Sequence, residues 1–323
     1  MITFLNQPTL SPHEVQADYN KRRPELVPQV EKFLSTHNLF KDKDVKVSFP
    51  EKGASSLICI IEIPDAKYVL KIPLSNLPLY TTEGTFLKTW EKVGVKVPHI
   101  FEEGMIGERY YMLMEYIDAP TLHGTYKKGE MIRKEIFVKM GSILYTMHSA
   151  KGKGFGTLDN GVGTSPTFDL WLENEMDRKK LKEDPEAFFD TEKHGDLARA
   201  REVFIAFVGT SKESSYCHND YTYENIFATE PFTVIDPVPI LSHPYMDLAR
   251  AIVTALGRGI ADMAAEHLIK GYTEKGLVLD RKILQAALII QASTKFPYWS
   301  KTGKEQGIKD VLAYLEKTKE FLK

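Results

Sequence analysis

The densest run of polar residues set in apolar sequence is Cys217-His218-Asn219-Asp220-Tyr221-Thr222-Tyr223-Glu224-Asn225-Ile226-Phe227. Eleven residues beyond Asn225 stands Asp236, within Val234-Ile235-Asp236-Pro237. Phosphoryl transfer requires a carboxylate that accepts or orients a hydroxyl proton, and hard oxygen ligands that hold Mg2+ against phosphates. Asp220 is the candidate base. Asn225 and Asp236 are the candidate metal ligands. Any one of them alone reads equally as a loop residue capping a turn. The three together, with a short hairpin predicted over 226–236, are more specific.

The spacing His-x-Asp-x-x-x-x-Asn followed by a hydrophobic residue and Asp resembles the catalytic and metal loops of the aminoglycoside phosphotransferase and choline kinase superfamily, relatives of protein kinases. Further stretches are similar to that family. Gly94-Val95-Lys96-Val97-Pro98-His99-Ile100 looks like its helix-to-strand connection, and Met112-Leu113-Met114-Glu115-Tyr116-Ile117 like its hinge strand. Phe155-Gly156 and Asp247-Leu248-Ala249 also fit. The resemblance covers roughly residues 40–260. It implies an α+β, two-lobed, protein-kinase-like fold with ATP or GTP bound between the lobes. It places Glu115, Ile117 and Ile235 among the nucleotide contacts, and makes Asp247 a brace for the catalytic loop.

A phosphate-binding cation held by a buried acid completes such a site. In Val69-Leu70-Lys71-Ile72, strand alternation puts Val69 and Lys71 on one face and Leu70 and Ile72 on the other. A lysine there either snorkels to water or meets a carboxylate. Glu83 precedes Phe86, Leu87 and Trp90 at i+3, i+4 and i+7, which puts it on the apolar face of its helix. A surface ion pair is the plainer alternative. By resemblance, Lys71 meets the phosphates, Glu83 holds Lys71, and Val69 packs on the base. The segment 50–56 joins two predicted strands but has a single glycine. Ser55, Ser56 or backbone amides there could contact phosphate, and a plain hairpin turn explains the segment equally well. Gly152-Lys153-Gly154-Phe155-Gly156 and Gly161-Val162-Gly163-Thr164 are expected to be a helix C-cap and its loop. His218 is expected to bond the loop backbone or the segment near Asp236.

These side chains need elements to hold them. A helix is expected over 12–38, opened by Ser11-Pro12-His13-Glu14 and broken or kinked at Pro24 and Pro28. Five antiparallel strands follow within residues 45–116, with a helix over 80–93 inserted after the third. After Tyr116 the pattern turns helical, with an apolar stripe from Ile132 to Met147 and helices expected over 245–258, 260–275, 281–294 and 305–322. The division is expected at residues 1–116, a nucleotide-binding lobe, and 117–323, a helical catalytic and substrate lobe.

Composition narrows the partners. A formal net charge of -2 does not suit a duplex nucleic-acid binder. No stretch is long and apolar enough for a membrane span, and Asn6, Gln7 and Pro8 interrupt any leader. Two distant cysteines suggest no disulfide framework and a cytoplasmic setting. A peptide acceptor is disfavoured: Ile235-Asp236-Pro237 replaces Asp-Phe-Gly, no Ala-Pro-Glu follows, and Thr222 and Asn219 stand where protein kinases carry Lys and Arg. A small-molecule hydroxyl acceptor remains, with Mg2+ as cofactor. Residues 168–196 carry ten acids against five Lys or Arg. By resemblance that insert lies over the acceptor. It suits a cationic acceptor, an aminoglycoside above all, although a solvated helix surface explains it too. Choline or another amino alcohol would need an aromatic cage from Trp171, Tyr221 and Tyr223. A sugar kinase and a nucleotide-binding pseudokinase are the remaining alternatives.

Overall fold

The computed structural model describes residues 1–8, 17–50, 55–127, 134–178, 191–209, 213–260, 263–276 and 278–322. The expected helix start at 11–14, most of the loop at 50–56 and the middle of the acidic insert lie outside them. The chain divides into two units. One is Met1–Lys88 with Val97–Ala119, and the other is Thr89–Lys96 with Pro120–Lys323.

The first unit is built on one sheet. Its strands are β1 (Ile2–Phe4), β2 (Val45–Ser48), β3 (Ser56–Ile63), β4 (Ala66–Pro73), β5 (Ile100–Ile106) and β6 (Arg109–Glu115), in the order β1-β2-β3-β4-β6-β5. Five of the six strands were expected. The sixth, β1, pairs parallel with β2 through Ile2, Thr3 and Phe4. Three residues carry no readable period, so only pairing reveals it. Helix α1 (Ala17–Thr36) runs through Pro24 and Pro28 without ending. The two prolines stand four apart, so the bonds they delete lie along one side and the other i→i−4 bonds persist. Leu26, Val30 and Leu34 of α1 join Val47, Cys59, Ile61, Leu70, Ile72 and Leu113 in a buried core. Alternation along β4 sends Leu70 and Ile72 into it, and this leaves Lys71 on the opposite face.

After α2 (Pro78–Thr81), helix α3 (Glu83–Lys92) contributes Glu83 to Lys88 to the first unit and Thr89 to Lys92 to the second.

The second unit holds α4 (Leu122–Lys127), α5 (Lys134–His148), β7 (Lys151–Lys153), β8 (Phe155–Asp159), β9 (Val162–Ser165), α6 (Phe168–Arg178), α7 (Thr191–Val208) and β10 (Glu213–Cys217). The hairpin β11 (Ile226–Phe227) and β12 (Thr233–Val234) follows, then β13 (Ile240–Ser242), α8 (Pro244–Leu256), α9 (Met263–Thr273), α10 (Arg281–Lys301) and α11 (Glu305–Lys317). A five-stranded sheet, β7-β10-β13-β8-β9, corrects the reading of the two glycine-rich stretches as a cap and loop. Glycine fits there because strands crowd one another: a Cβ on Gly163 would collide with the backbone of Gly154 and Phe155. Helices α5 and α9 meet at glycines as well. A Cβ on Gly141 would strike the backbone of Leu268 and Tyr272, and one on Gly271 the backbone of Val138. No helix among the described residues is long and apolar enough to cross a membrane.

Candidate active site

In the second unit, β10 ends at Cys217 and delivers the chain into the loop His218–Thr222. Asn219 adopts φ of 55°, a left-handed conformation that Asn tolerates better than most residues. Asp247, in the first turn of α8, holds this loop. Its Oδ2 accepts from the His218 backbone N–H at 2.6 Å, and its Oδ1 from that of Asn219 at 2.7 Å. The same Oδ2 lies 3.0 Å from His148 Nε2, and His148 Nδ1 lies 2.7 Å from the Tyr272 hydroxyl. Burial opposes the Asp247 charge, but the His148 hydrogen bond and charge, with His218 and the Asn219 N–H, keep its pKa below the ordinary value. Asp247 therefore braces the loop, in the role the resemblance implied. His218 is fully buried, stacks on Trp90 and places Nε2 3.0 Å from the Ile235 carbonyl. Burial lowers its pKa. It ties the loop of Asp220 to the segment of Asp236.

Asp220 is half-buried. Its Oδ2 accepts from Asn225 Nδ2 at 3.2 Å, and its backbone carbonyl from the same Nδ2 at 2.9 Å. A 3-10 turn, Tyr223–Asn225, capped by the Thr222 hydroxyl, sets that amide in place. The β11–β12 hairpin then aligns the partner segment. Ile226 pairs with Val234, and the Ile235 N–H donates to the Asn225 carbonyl at 3.0 Å. Asp236 follows at once, exposed and with φ of 55°. Thus Asp220 and Asn225 are bonded directly, and Asn225 is bonded to the residue before Asp236. With its amide nitrogen turned to Asp220, the Asn225 carbonyl oxygen is a hard donor of the kind a cation takes. That oxygen and the Asp236 carboxylate are the hard donors that Mg2+ takes. The donor set fits the ion.

Lys295 was not foreseen. It projects from α10 with its ammonium 3.5 Å from Asp220 Oδ1. Burial opposes ionisation of Asp220, but the charges of Lys295, Arg250, His218 and Arg258 hold its pKa below the ordinary carboxylate value. The signal was a single lysine in an otherwise uncharged stretch from Ile283 to Ser300. Sequence does not say which distant carboxylate such a lysine meets.

In the first unit, Lys71 Nζ donates to both Glu83 oxygens, at 2.7 and 2.5 Å, and both side chains are nearly sealed from water. This excludes the surface ion pair. Val69 is half-buried beside Lys71 and pairs across the strands with Met114. Glu115 ends β6, and its Oε2 accepts from the His99 N–H at 3.1 Å. Ile117 lies just past that strand, half-buried. Ser55 is half-buried just before β3, while Ser56 is buried inside the strand and so is not a loop hydroxyl.

The aromatic cage does not form from the side chains proposed for it. Tyr221 is 1% exposed and spends its hydroxyl on the Met140 carbonyl. Tyr223 is buried between His123, stacked on its ring, and the guanidinium of Arg258. Trp171 is buried against Phe168. All three serve packing. Of the acidic insert, Asp169 and Glu173 are exposed on α6.

A profile of the phosphotransferase enzyme family matches residues 46–281. No sequence among curated proteins matches the chain. Among solved structures, the aminoglycoside phosphotransferase APH(4)-Ia is similar at 12% identity, with 91% of this chain and 98% of that one covered and a TM-score of 0.64. A thermostable mutant of it, in ternary complex with ADP and hygromycin B, is similar at 13% identity and TM-score 0.63, with the same coverage. A candidate fructosamine-3-kinase from Haemophilus somnus 129PT is similar at 15% identity and TM-score 0.58, with 88% and 96% covered.

Proposed function

The chain belongs to the phosphotransferase enzyme family and is a small-molecule kinase, and from that premise we propose that it transfers the γ-phosphoryl group of ATP or GTP to a hydroxyl of a polyhydroxylated amine of the aminoglycoside type. The observation that carries the catalytic part is the bonded set Asp220, Asn225 and Ile235-Asp236. Asp220 is ionised at neutral pH and takes the proton of the acceptor hydroxyl. Asn225 and Asp236 would hold Mg2+, which would neutralise charge on the phosphate oxygens. Lys71, fixed by Glu83, contributes a cation to the phosphates. Val69, Glu115, Ile117 and Ile235 are the proposed contacts of the nucleotide, and Ser55 a phosphate contact.

The acceptor class rests on fold likeness to a protein whose structure holds hygromycin B, and on the exposed acids of α6. A second reading, a fructosamine-type sugar amine, is favoured by the likeness to a candidate fructosamine-3-kinase. The choline reading loses its support with the burial of the cage residues. The test is ADP release in Mg2+ and ATP with hygromycin B, a fructosyl amine, choline and a neutral sugar. Stimulation by hygromycin B, with KM rising with ionic strength as screening predicts, supports the first reading. Stimulation by the neutral sugar alone defeats both amine readings.

A further inference from the structure

Lys295 has no packing reason to be charged. Around it on α10, Ile290, Ala292, Phe296 and Trp299 are buried and apolar, and Ser293 and Thr294 bond to their own helix. Its side chain is only 14% exposed. Withdrawing an ammonium from water is unfavourable, and a lysine held this way needs a compensating partner. Among the described residues Oδ1 of Asp220 is one such partner, while Oδ2 of the same carboxylate takes the Asn225 amide. Each carboxylate oxygen thus meets a cation or donor from a different element, and turning the carboxylate about its Cβ–Cγ bond breaks both contacts. At 3.5 Å the ammonium stands beyond the 2.7–2.9 Å of a direct charge-assisted bond. Two other nearby cations have hydrogen-bond or ion-pair partners of their own. Arg250 Nη1 donates to Gln291 Oε1 and Thr294 Oγ1, and Arg258 pairs with Glu224 at 2.6 Å.

We propose that Lys295 is a positioning residue that holds the Asp220 carboxylate in the orientation that receives the acceptor proton. This rests on the reading of Asp220 as base. In the step it serves, the acceptor hydroxyl gives its proton to Asp220 and its oxygen bonds to the γ-phosphorus. The bond from that phosphorus to the β–γ bridging oxygen breaks, and its electron pair leaves on the nucleoside diphosphate. Lys295 keeps its proton throughout.

The test compares wild type, Asp220→Asn, Lys295→Met, Lys295→Arg and the double variant Asp220→Asn/Lys295→Met. The readout is ADP release from Mg2+ and ATP, with water alone, hygromycin B or a fructosyl amine as acceptor. Lys295→Met is expected to lower kcat on the order of tenfold to a hundredfold, with KM for ATP within about twofold. Arginine should restore most of the rate. In the Asp220→Asn background, Lys295→Met should cost nothing further. Lys295→Gln stands in if the methionine variant does not fold. A kcat within about threefold of wild type overturns the proposal. So does an equal loss in the Asp220→Asn background, or a loss that follows a lowered melting temperature and is not rescued by arginine. If Asp220→Asn keeps the wild-type rate, the parent reading fails. If it is inactive and Lys295→Met is unaffected, only this inference fails. Absence of ADP release from wild type in every arm ends both.

Discussion

Lys71 and Glu83 show how little a charge pair can be shifted once water is excluded. Their side chains are 7% and 6% exposed, and the ammonium spans both carboxylate oxygens. Removing one partner leaves the other buried and unpaired, a loss that typically costs about 3–5 kcal/mol in such sites. Lys71→Met and Glu83→Gln should each lower the turnover rate. The double variant should be little worse than the poorer single one, because both act on one unit. Single-turnover rates across that cycle check it, and additive losses would count against a direct role for the pair. On the proposed metal side, Asp236→Asn removes the carboxylate assigned to the ion while leaving the His218 and Asn225 bonds to Ile235 in place. It should weaken nucleotide binding in Mg2+ and leave binding in EDTA unchanged, as read by titration calorimetry. Equal weakening in both conditions would point to damage to the fold instead.

At the scale of elements, the site depends on where helices and strands stop. Helix α5 ends at His148, whose ring meets Asp247 at the start of α8, and Asp247 in turn fixes the loop of Asp220. The register of α5 against α9 is set by Gly141 and Gly271, where the backbones touch. Gly141→Ala should cost about 1–3 kcal/mol through overpacking, the range for extra atoms in a filled core. A urea midpoint unchanged from wild type would show that the helices separate freely. Much of this frame is legible in the chain. The helical placement of Glu83 beside Phe86, Leu87 and Trp90 sets its burial, and the alternation in β4 sets the face of Lys71. The spacing from His218 to Asp236 marks the loop and hairpin. Other parts are not legible, for physical reasons. Strands β7, β8, β9 and β13 have three to five residues, too few for a period, and the glycines within the first three look like loop. Helix α10 runs past Pro297 to Lys301, whereas the expected helix stopped at 294, one residue before Lys295. The contact between Lys295 and Asp220 joins residues 75 apart in sequence, and nothing local encodes it.

Across the whole molecule, buried titratable groups set the acid limit of stability. His243 caps α8 by accepting the Tyr245 N–H on Nδ1, which requires a neutral ring. Burial first, then the charges of His148 and Lys151, lower its pKa to about 4 from 6.5. The unfolded chain therefore takes up a proton below pH 6.5 that the folded chain refuses until about pH 4. Stability is complete above that window and falls as pH drops through it, by about 1–3 kcal/mol from this group. Asp247, with its pKa depressed, adds a further loss at lower pH still. The urea midpoint should fall between pH 7 and about pH 5, and His243→Asn, which keeps a capping side chain without the titration, should flatten that fall. An unchanged wild-type midpoint would contradict it. The central claim is that the chain moves a phosphoryl group with Asp220 as base. The direct measurement is transfer of label from γ-labelled ATP in Mg2+ to hygromycin B or a fructosyl amine, by wild type and by Asp220→Asn. The account predicts labelled acceptor with wild type, and a loss on the order of 10²–10⁴ in rate with nucleotide affinity retained in the variant. Transfer by Asp220→Asn within about threefold of wild type would contradict it.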